Sequence, residues 1–250
     1  MMSAPPVFVI NLDRAEGRWS RISGQAEALG VELRRVSAVD GREIPPEDWI
    51  DVDFAAFRSR HGRGRILPGE YGCHRSHLMA LEAMEDSGAP YGLILEDDLI
   101  LSAEGLAETR AIAEAGAAFD AVKLMNHRVR GFLPKFSTPS GLEVGLAMHG
   151  PLGSSAAYLV SREGARNLRR RLARMTLPVD VELERYWSGG GVVYTTRRNL
   201  FAFSDPAQEG GIGGSDVYKT TKLPAWRRLP TLGFRARDYL KRVAGAVRGG

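Results

Sequence analysis

The stretch YGLILEDDLIL, residues 91–101, sets Glu96, Asp97 and Asp98 side by side inside an otherwise apolar run. Adjacent carboxylates repel one another, and burying them unpaired is unfavourable, so the cluster calls for a counter-charge. A divalent cation supplies one: Mg2+ or Mn2+ takes one or two carboxylates and completes its shell with water and ligand phosphates. In an extended chain Glu96 and Asp98 share a side and Asp97 points away. An exposed acidic turn or a salt-bridged cluster accounts for the same residues, because three acids in a row are a weak motif. His74 and His77 stand three apart on one helical face, but no third zinc ligand follows at a recognisable spacing. Cys73, the only cysteine, excludes an intramolecular disulfide and reads as a small buried residue.

The elements that position these groups alternate between strand and helix. VFVINL (7–12) reads as a strand, and Asp13 with Glu16 resembles a capping box for a helix through Ala28, with Gly30 as the stop. VELRRVSAV (31–39) is a second strand, followed by the turn at Asp40 and Gly41 and a short helix over 49–57. RSRHGRGRILPG (58–69), basic and glycine-rich, predicts a mobile loop. Apolar spacing predicts a helix over 70–87, then the strand YGLIL, continuous as expected when both faces are covered. A helix over 103–115, the strand AVKLM (121–125), a hairpin around EVGLAM and the strand SSAAYLVS follow. Ser161 caps a basic helix, Pro178 opens another, and VVYTTRRNLF is the last strand. This alternation predicts an α/β fold with a mostly parallel central sheet. Ligands in such folds bind beyond the carboxyl ends of the strands, where the acidic triplet falls.

GEYGCHRSHLMAL followed by YGLILEDDLIL resembles the core of glycosyltransferase family 25, the lipopolysaccharide and collagen β-galactosyltransferase group. FVINLDRAEGRW, VSAVDG, GSSAAYLVSREGA and PVDVEL extend the resemblance over roughly residues 7–205, in the expected order. It implies a GT-A-like nucleotide-diphospho-sugar transferase fold, a UDP-galactose or UDP-glucose donor, and inversion at the anomeric carbon. It also implies Mn2+ or Mg2+ held by Asp98, with Glu96 the second metal candidate; Glu96 or Asp97 otherwise reaches the ribose or a metal-bound water. Asn11, Leu12, Arg14 and Arg18, at the first strand-to-helix turn, become donor-binding candidates, as do Asp40, Gly41 and His77. Without the resemblance, the arginines make a surface pair, and Asp40 with Gly41 makes a turn. Asp180 matches a family position on the acceptor side; it is the first candidate for the base that deprotonates the acceptor hydroxyl, with Glu182 behind it. An acid at a helix N-terminus also accounts for Asp180. Tyr71, Arg75 and the GRGR run depart from the family pattern.

Charge is unevenly placed. Residues 219–250 carry nine Lys and Arg and one acid, Asp238, whereas the chain as a whole is only +4. The sequence therefore divides into a catalytic region, 1–209, and a glycine-rich hinge with a basic amphipathic tail, 210–250. The tail suits an anionic membrane surface holding an enzyme on a glycan or lipid-linked acceptor; it also suits a solvated tail packing on its own domain. Nucleic acid is not an expected partner, since the remainder is acidic and lacks an aromatic-basic motif. No apolar run reaches the length of a membrane span or a signal peptide, so a cytoplasmic location, peripheral on the inner membrane face, is expected. Two other classes use similar residues: a glycoside hydrolase with paired carboxylates, and a sugar-nucleotide or partner-binding protein without turnover.

Overall fold

Every side chain of VFVIN is buried, which only a strand covered on both faces allows. It is β1 (Val7–Asn11) of a computed structural model that describes residues 4–189, 191–204 and 220–248. Its sheet also contains β2 (Leu33–Ser37), β3 (Tyr91–Glu96), β5 (Ala121–Lys123), β6 (Arg130–Ser137), β7 (Glu143–His149), β8 (Ala157–Ser161) and β9 (Val193–Thr196). The order across the sheet is β2-β1-β3-β8-β5-β9-β7-β6. The pairings make β1, β2, β3, β5, β6 and β9 point one way and β7 and β8 the other, so the sheet is mixed and mostly parallel. A small second sheet pairs β4 (Leu99–Ile100) with β10 (Ala202–Phe203), directly after the acidic triplet.

Alternation along β1 sorts its residues between two cores. Val7 and Val9 join Ile22 and Ala26 of α1 (Glu16–Ala28) and Ile112 of α4 (Ala103–Glu114). Phe8 and Ile10 join Leu81 and Met84 of α3 (Pro68–Asp86) and Leu168 of α5 (Arg162–Leu172) on the opposite face. Gly92 on β3 lets that layer close, because a Cβ there would lie 2.4 Å from the Met84 sulfur.

Several elements differ from the sequence expectation. Asp13 does not cap α1: the helix starts after Ala15 with no side-chain cap, while Asp13 lies exposed 3.6 Å from Arg35. The expected short helix is a 3-10 turn (Pro46–Asp48) followed by α2 (Phe54–His61), capped by Asp53 accepting from the Ala56 N–H. The stretch expected to be mobile is tied down. Its first residues belong to α2, Gly62 ends that helix at φ +77°, and Arg63 is buried in an ion pair with Glu70. Glu70 also accepts from the Leu67 N–H at 2.8 Å, which closes the start of α3. Tyr71 and Arg75, the departures within α3, both bond Asp51, and Tyr71 stacks on Trp49, so they anchor the segment before α2.

Helix α7 (Leu229–Arg248) lies against β7 and the turn Tyr186–Ser188. Arg242 is buried: its Nε donates to the Ala147 carbonyl at 2.9 Å and its guanidinium pairs with Glu184 at 2.9 Å. Asp238 pairs with Arg185 at 2.8 Å, and Ala246 enters the apolar core. The expected hinge, 210–214, lies outside the described residues.

His74 ties α3 to α5 by donating from Nε2 to the Leu172 carbonyl, 2.8 Å away. Burial lowers its pKa to about 4, so the folded chain refuses a proton that the unfolded chain accepts below about 6.5. Stability from this group is complete above the unfolded value and is lost as pH falls toward the folded one, about 2 kcal/mol between pH 6.5 and 5. Urea unfolding at pH 7 and pH 5 should show this loss. His74→Gln, which keeps a donor for Leu172, should remove this part of the slope and leave that of His61, whose pKa burial lowers to about 3.

Candidate active site

Asn11, Glu96 and Lys123 end β1, β3 and β5, three strands that point the same way, so the sheet delivers all three to one edge. Ile10 lies opposite Glu96, and Lys123 lies opposite Tyr158 on β8. The approach to β8 sets Ser155 against Glu96, with the hydroxyl donating at 2.8 Å. From α3, His77 reaches the same carboxylate at 3.3 Å through Nε2 and meets the Tyr158 hydroxyl at 3.1 Å through Nδ1.

The three acids resolve their repulsion differently. Strand β3 ends at Glu96, and Asp97 with Asp98 occupies a turn, so simple alternation of sides does not hold. Burial alone would raise Glu96, but the hydrogen bond and charge of His77 and the bond from Ser155 outweigh it and hold the carboxylate below its usual range. Asp97 is buried against the β1–α1 turn, where Asn11 Nδ2 donates to it and Arg18 pairs with it at 3.2 Å. Burial still raises it above its usual value. Arg35 fixes Asn11 in turn, donating to Oδ1 from Nε at 3.0 Å and from Nη2 at 2.6 Å. Asp98 has no such answer. Its Oδ1 is enclosed without a hydrogen-bond partner among the described residues, and burial, Glu96 and Asp97 push its carboxyl up to about 7.

An enclosed carboxylate oxygen with no donor, beside a second carboxylate held charged, fits a cation with oxygen ligands. The structure also brings together what spacing did not: one ligand atom each from Cys73, His77 and Glu96 lie within 4.8 Å of one another. Burial pushes the Cys73 thiol well up, however, and a protonated thiol is a poor metal ligand.

Across the edge, Asp180 opens α6 (Val179–Leu183). Burial raises its carboxyl, Lys123 opposes that, and Glu184 and Glu96 add to it, so it shares one electrostatic environment with the triplet. Lys123 is fully buried; its ammonium donates to the Gly153 carbonyl at 2.9 Å and stands 3.8 Å from Glu184. Burial lowers its pKa against the pull of Glu184 and Asp180. Lys123 is not among the residues singled out from sequence, although a charge interrupting the apolar strand AVKLM is the same signal as the acidic triplet. Glu182 is not brought to this edge. Its carboxylate is buried against Arg185 at 2.8 Å and Arg171 at 3.9 Å, an engagement at odds with service as a free base.

The remaining candidates line the β1–α1 and β2 ends. Arg14 pairs with Asp40 at 2.8 Å, and the Leu12 carbonyl accepts from the Ala15 N–H at 2.8 Å. Gly41 serves packing: a Cβ there would sit 1.9 Å from the Pro68 carbonyl oxygen, and one on Gly72 would sit 2.4 Å from that of Val39. Small residues let the loop after β2 touch α3, where the Ser76 hydroxyl accepts from the Val39 N–H at 2.8 Å.

A mixed α/β sheet that gathers carboxylates at its strand ends, beside the first strand-to-helix turn, defines a GT-A-like nucleotide-sugar transferase fold. Residues 4–183 match the family described as "Glycosyltransferase family 25 (LPS biosynthesis protein)". The chain belongs to glycosyltransferase family 25. Among curated relatives, it is 24% identical over 218 residues to a "Glycosyltransferase 25 family member" of Aedes aegypti, covering 81% of this chain and 35% of that protein. It is 27% identical over 101 residues to "Procollagen galactosyltransferase 2" of Mus musculus, covering 39% of this chain and 16% of that one. The chain thus spans about a third or less of the length of these relatives.

The two acids of α6 should part in a stability measurement. Glu182→Gln breaks a buried pair with Arg185 and is expected to lower unfolding free energy by about 3 kcal/mol. Asp180→Asn should leave stability unchanged or higher at pH 7, because a carboxyl whose folded pKa is raised destabilises the fold wherever it must ionise. Denaturant titration of both variants checks this.

Proposed function

We propose that this chain is an inverting, metal-dependent glycosyltransferase that moves a hexose from a UDP-sugar to a glycan acceptor. The observation that carries the reading is Asp98, whose buried Oδ1 has no hydrogen-bond partner among the described residues and whose carboxyl is raised to about 7 beside Glu96. Asp98, with Glu96, would hold Mn2+ or Mg2+. Bound there, the cation would act as a Lewis acid that neutralises charge on the leaving diphosphate. The residues of the chain do the rest. Asn11, Arg18 and Arg35 lock Asp97 and so fix the turn that carries Asp98. Arg14 with Asp40 presents a cation and an acid beside the β1–α1 turn, suited to donor phosphate and ribose. Asp180 accepts the proton of the acceptor hydroxyl; burial raises its basicity, which suits a general base.

The name of the mouse relative favours galactose as the transferred sugar, and the family description favours a lipopolysaccharide-type surface glycan as acceptor. A glycoside hydrolase would need neither nucleotide nor, as a rule, metal.

A screen of UDP-sugars with and without Mn2+ tests the reading. UDP release should require the metal, be greatest with UDP-galactose or UDP-glucose, and fall about 100-fold or more in Asp98→Asn. Metal affinity should weaken roughly tenfold per unit as pH drops below 7, since the cation must displace a proton from Asp98. Metal-independent release, or full turnover in Asp98→Asn, would overturn the assignment.

A further inference from the structure

Helix α7 has two faces of opposite character. Thr231, Asp238, Arg242 and Ala246 turn inward: Thr231, Arg242 and Ala246 are buried, and Asp238 pairs with Arg185. The opposite face presents Leu229, Leu232, Ala236, Leu240, Val243 and Val247, spaced by three and four residues along a single stripe. Most of this stripe is in solvent: Leu229 is 68% exposed, Leu232 59%, Leu240 67% and Val247 72%, while Val243 is half-buried. Trp226, 68% exposed, extends it through the 3-10 turn Ala225–Arg228, and Tyr239 flanks it. Most of the large exposed hydrophobics of the described chain fall in this one segment. A helix that needed only to pack on its own domain would carry polar residues there.

The charges beside the stripe identify its occupant. Arg237, Lys241 and Arg248 fall together along one edge of it, all exposed, and Arg227 lies beside Trp226. Asp238, the sole acid after residue 219, is turned inward against Arg185. An apolar strip edged by cations, with Trp and Tyr at its margins, matches the boundary of an anionic bilayer, where apolar side chains enter the acyl region and bases meet headgroup phosphate. No helix among the described residues is long and apolar enough to cross a membrane.

We propose that the outer face of α7, through Leu229, Leu232, Leu240 and Val247 with Arg237, Lys241 and Arg248, seats this protein flat on an anionic phospholipid surface. The inference stands independently of the transferase reading. It does orient the site: Arg242, on the docked face of the same helix, reaches Glu184, which stands beside Lys123 and one turn from Asp180. A membrane holding the stripe therefore holds α6 in a defined position relative to that surface.

Flotation of the full chain with phosphatidylglycerol-containing vesicles, and with neutral phosphatidylcholine vesicles, tests this. Binding should require the anionic lipid and weaken with salt. Leu232→Glu with Leu240→Glu should reduce it at least tenfold while circular dichroism and the unfolding midpoint stay as in the parent, because both side chains stand in solvent. Substituting Arg237, Lys241 and Arg248 by Gln should reduce it roughly fivefold per residue. Failure of the parent chain to bind anionic vesicles at low salt, or equal binding by the leucine variant, would overturn the proposal. So would sedimentation showing a dimer that the leucine variant dissolves without any lipid binding, which would assign the stripe to a second copy.

Discussion

Three ionisable carboxyls at the end of one buried strand form the constraint around which the rest of this structure is arranged. Like charges at such spacing cannot all be buried and ionised without compensation. The fold answers two of them from its own side chains. Glu96 is held by His77 and Ser155, and Asp97 by Asn11 and Arg18. These partners come from α3, the approach to β8, the end of β1 and α1, so compensating the charges ties together elements far apart in sequence. Asp98 is the residue left over, and its Oδ1, without a hydrogen-bond partner among the described residues, marks where chemistry is expected.

The sheet order makes the arrangement workable. Because β1, β3 and β5 point alike, their last residues meet at one edge, and reversed β8 brings Ser155 and Tyr158 in from the other direction. At the same edge a second buried network, Lys123–Glu184–Arg242, links β5, the end of α6 and α7. Buried ion pairs of this sort contribute little net stability against an apolar alternative. Their effect here is positional: Lys123 acts on Asp180 electrostatically, and Arg242 fixes the helix that lies outside it.

Much of the architecture is legible in the sequence because periodicity follows from local geometry. The continuous apolar runs at 7–11 and 91–95, the 3.6-residue spacing in α3 and the cap at Ser161 each depend on near neighbours and each appear in the structure. The errors fall where distant partners decide. Asp13 carries the residue type of a cap, yet the helix starts two residues later, after Ala15. The GRGR run has the composition of a loose loop, yet Arg63 finds Glu70 and is buried. Glu182 and Asp180 look alike on paper, two acids two residues apart, and only packing shows one neutralised by Arg185 and the other raised by burial.

The sequence by itself determined which residues carry charge into apolar strands, the order of strands and helices, and a basic, apolar-striped end. Those properties are local, set by residue type and by 2.0- or 3.6-residue periods. Tertiary structure alone decided which carboxylates are satisfied, that Lys123 and Glu184 sit beside Asp180, and which face of α7 is docked and which is bare. Desolvation and pairing depend on what approaches through space, and no spacing along the chain encodes that distance.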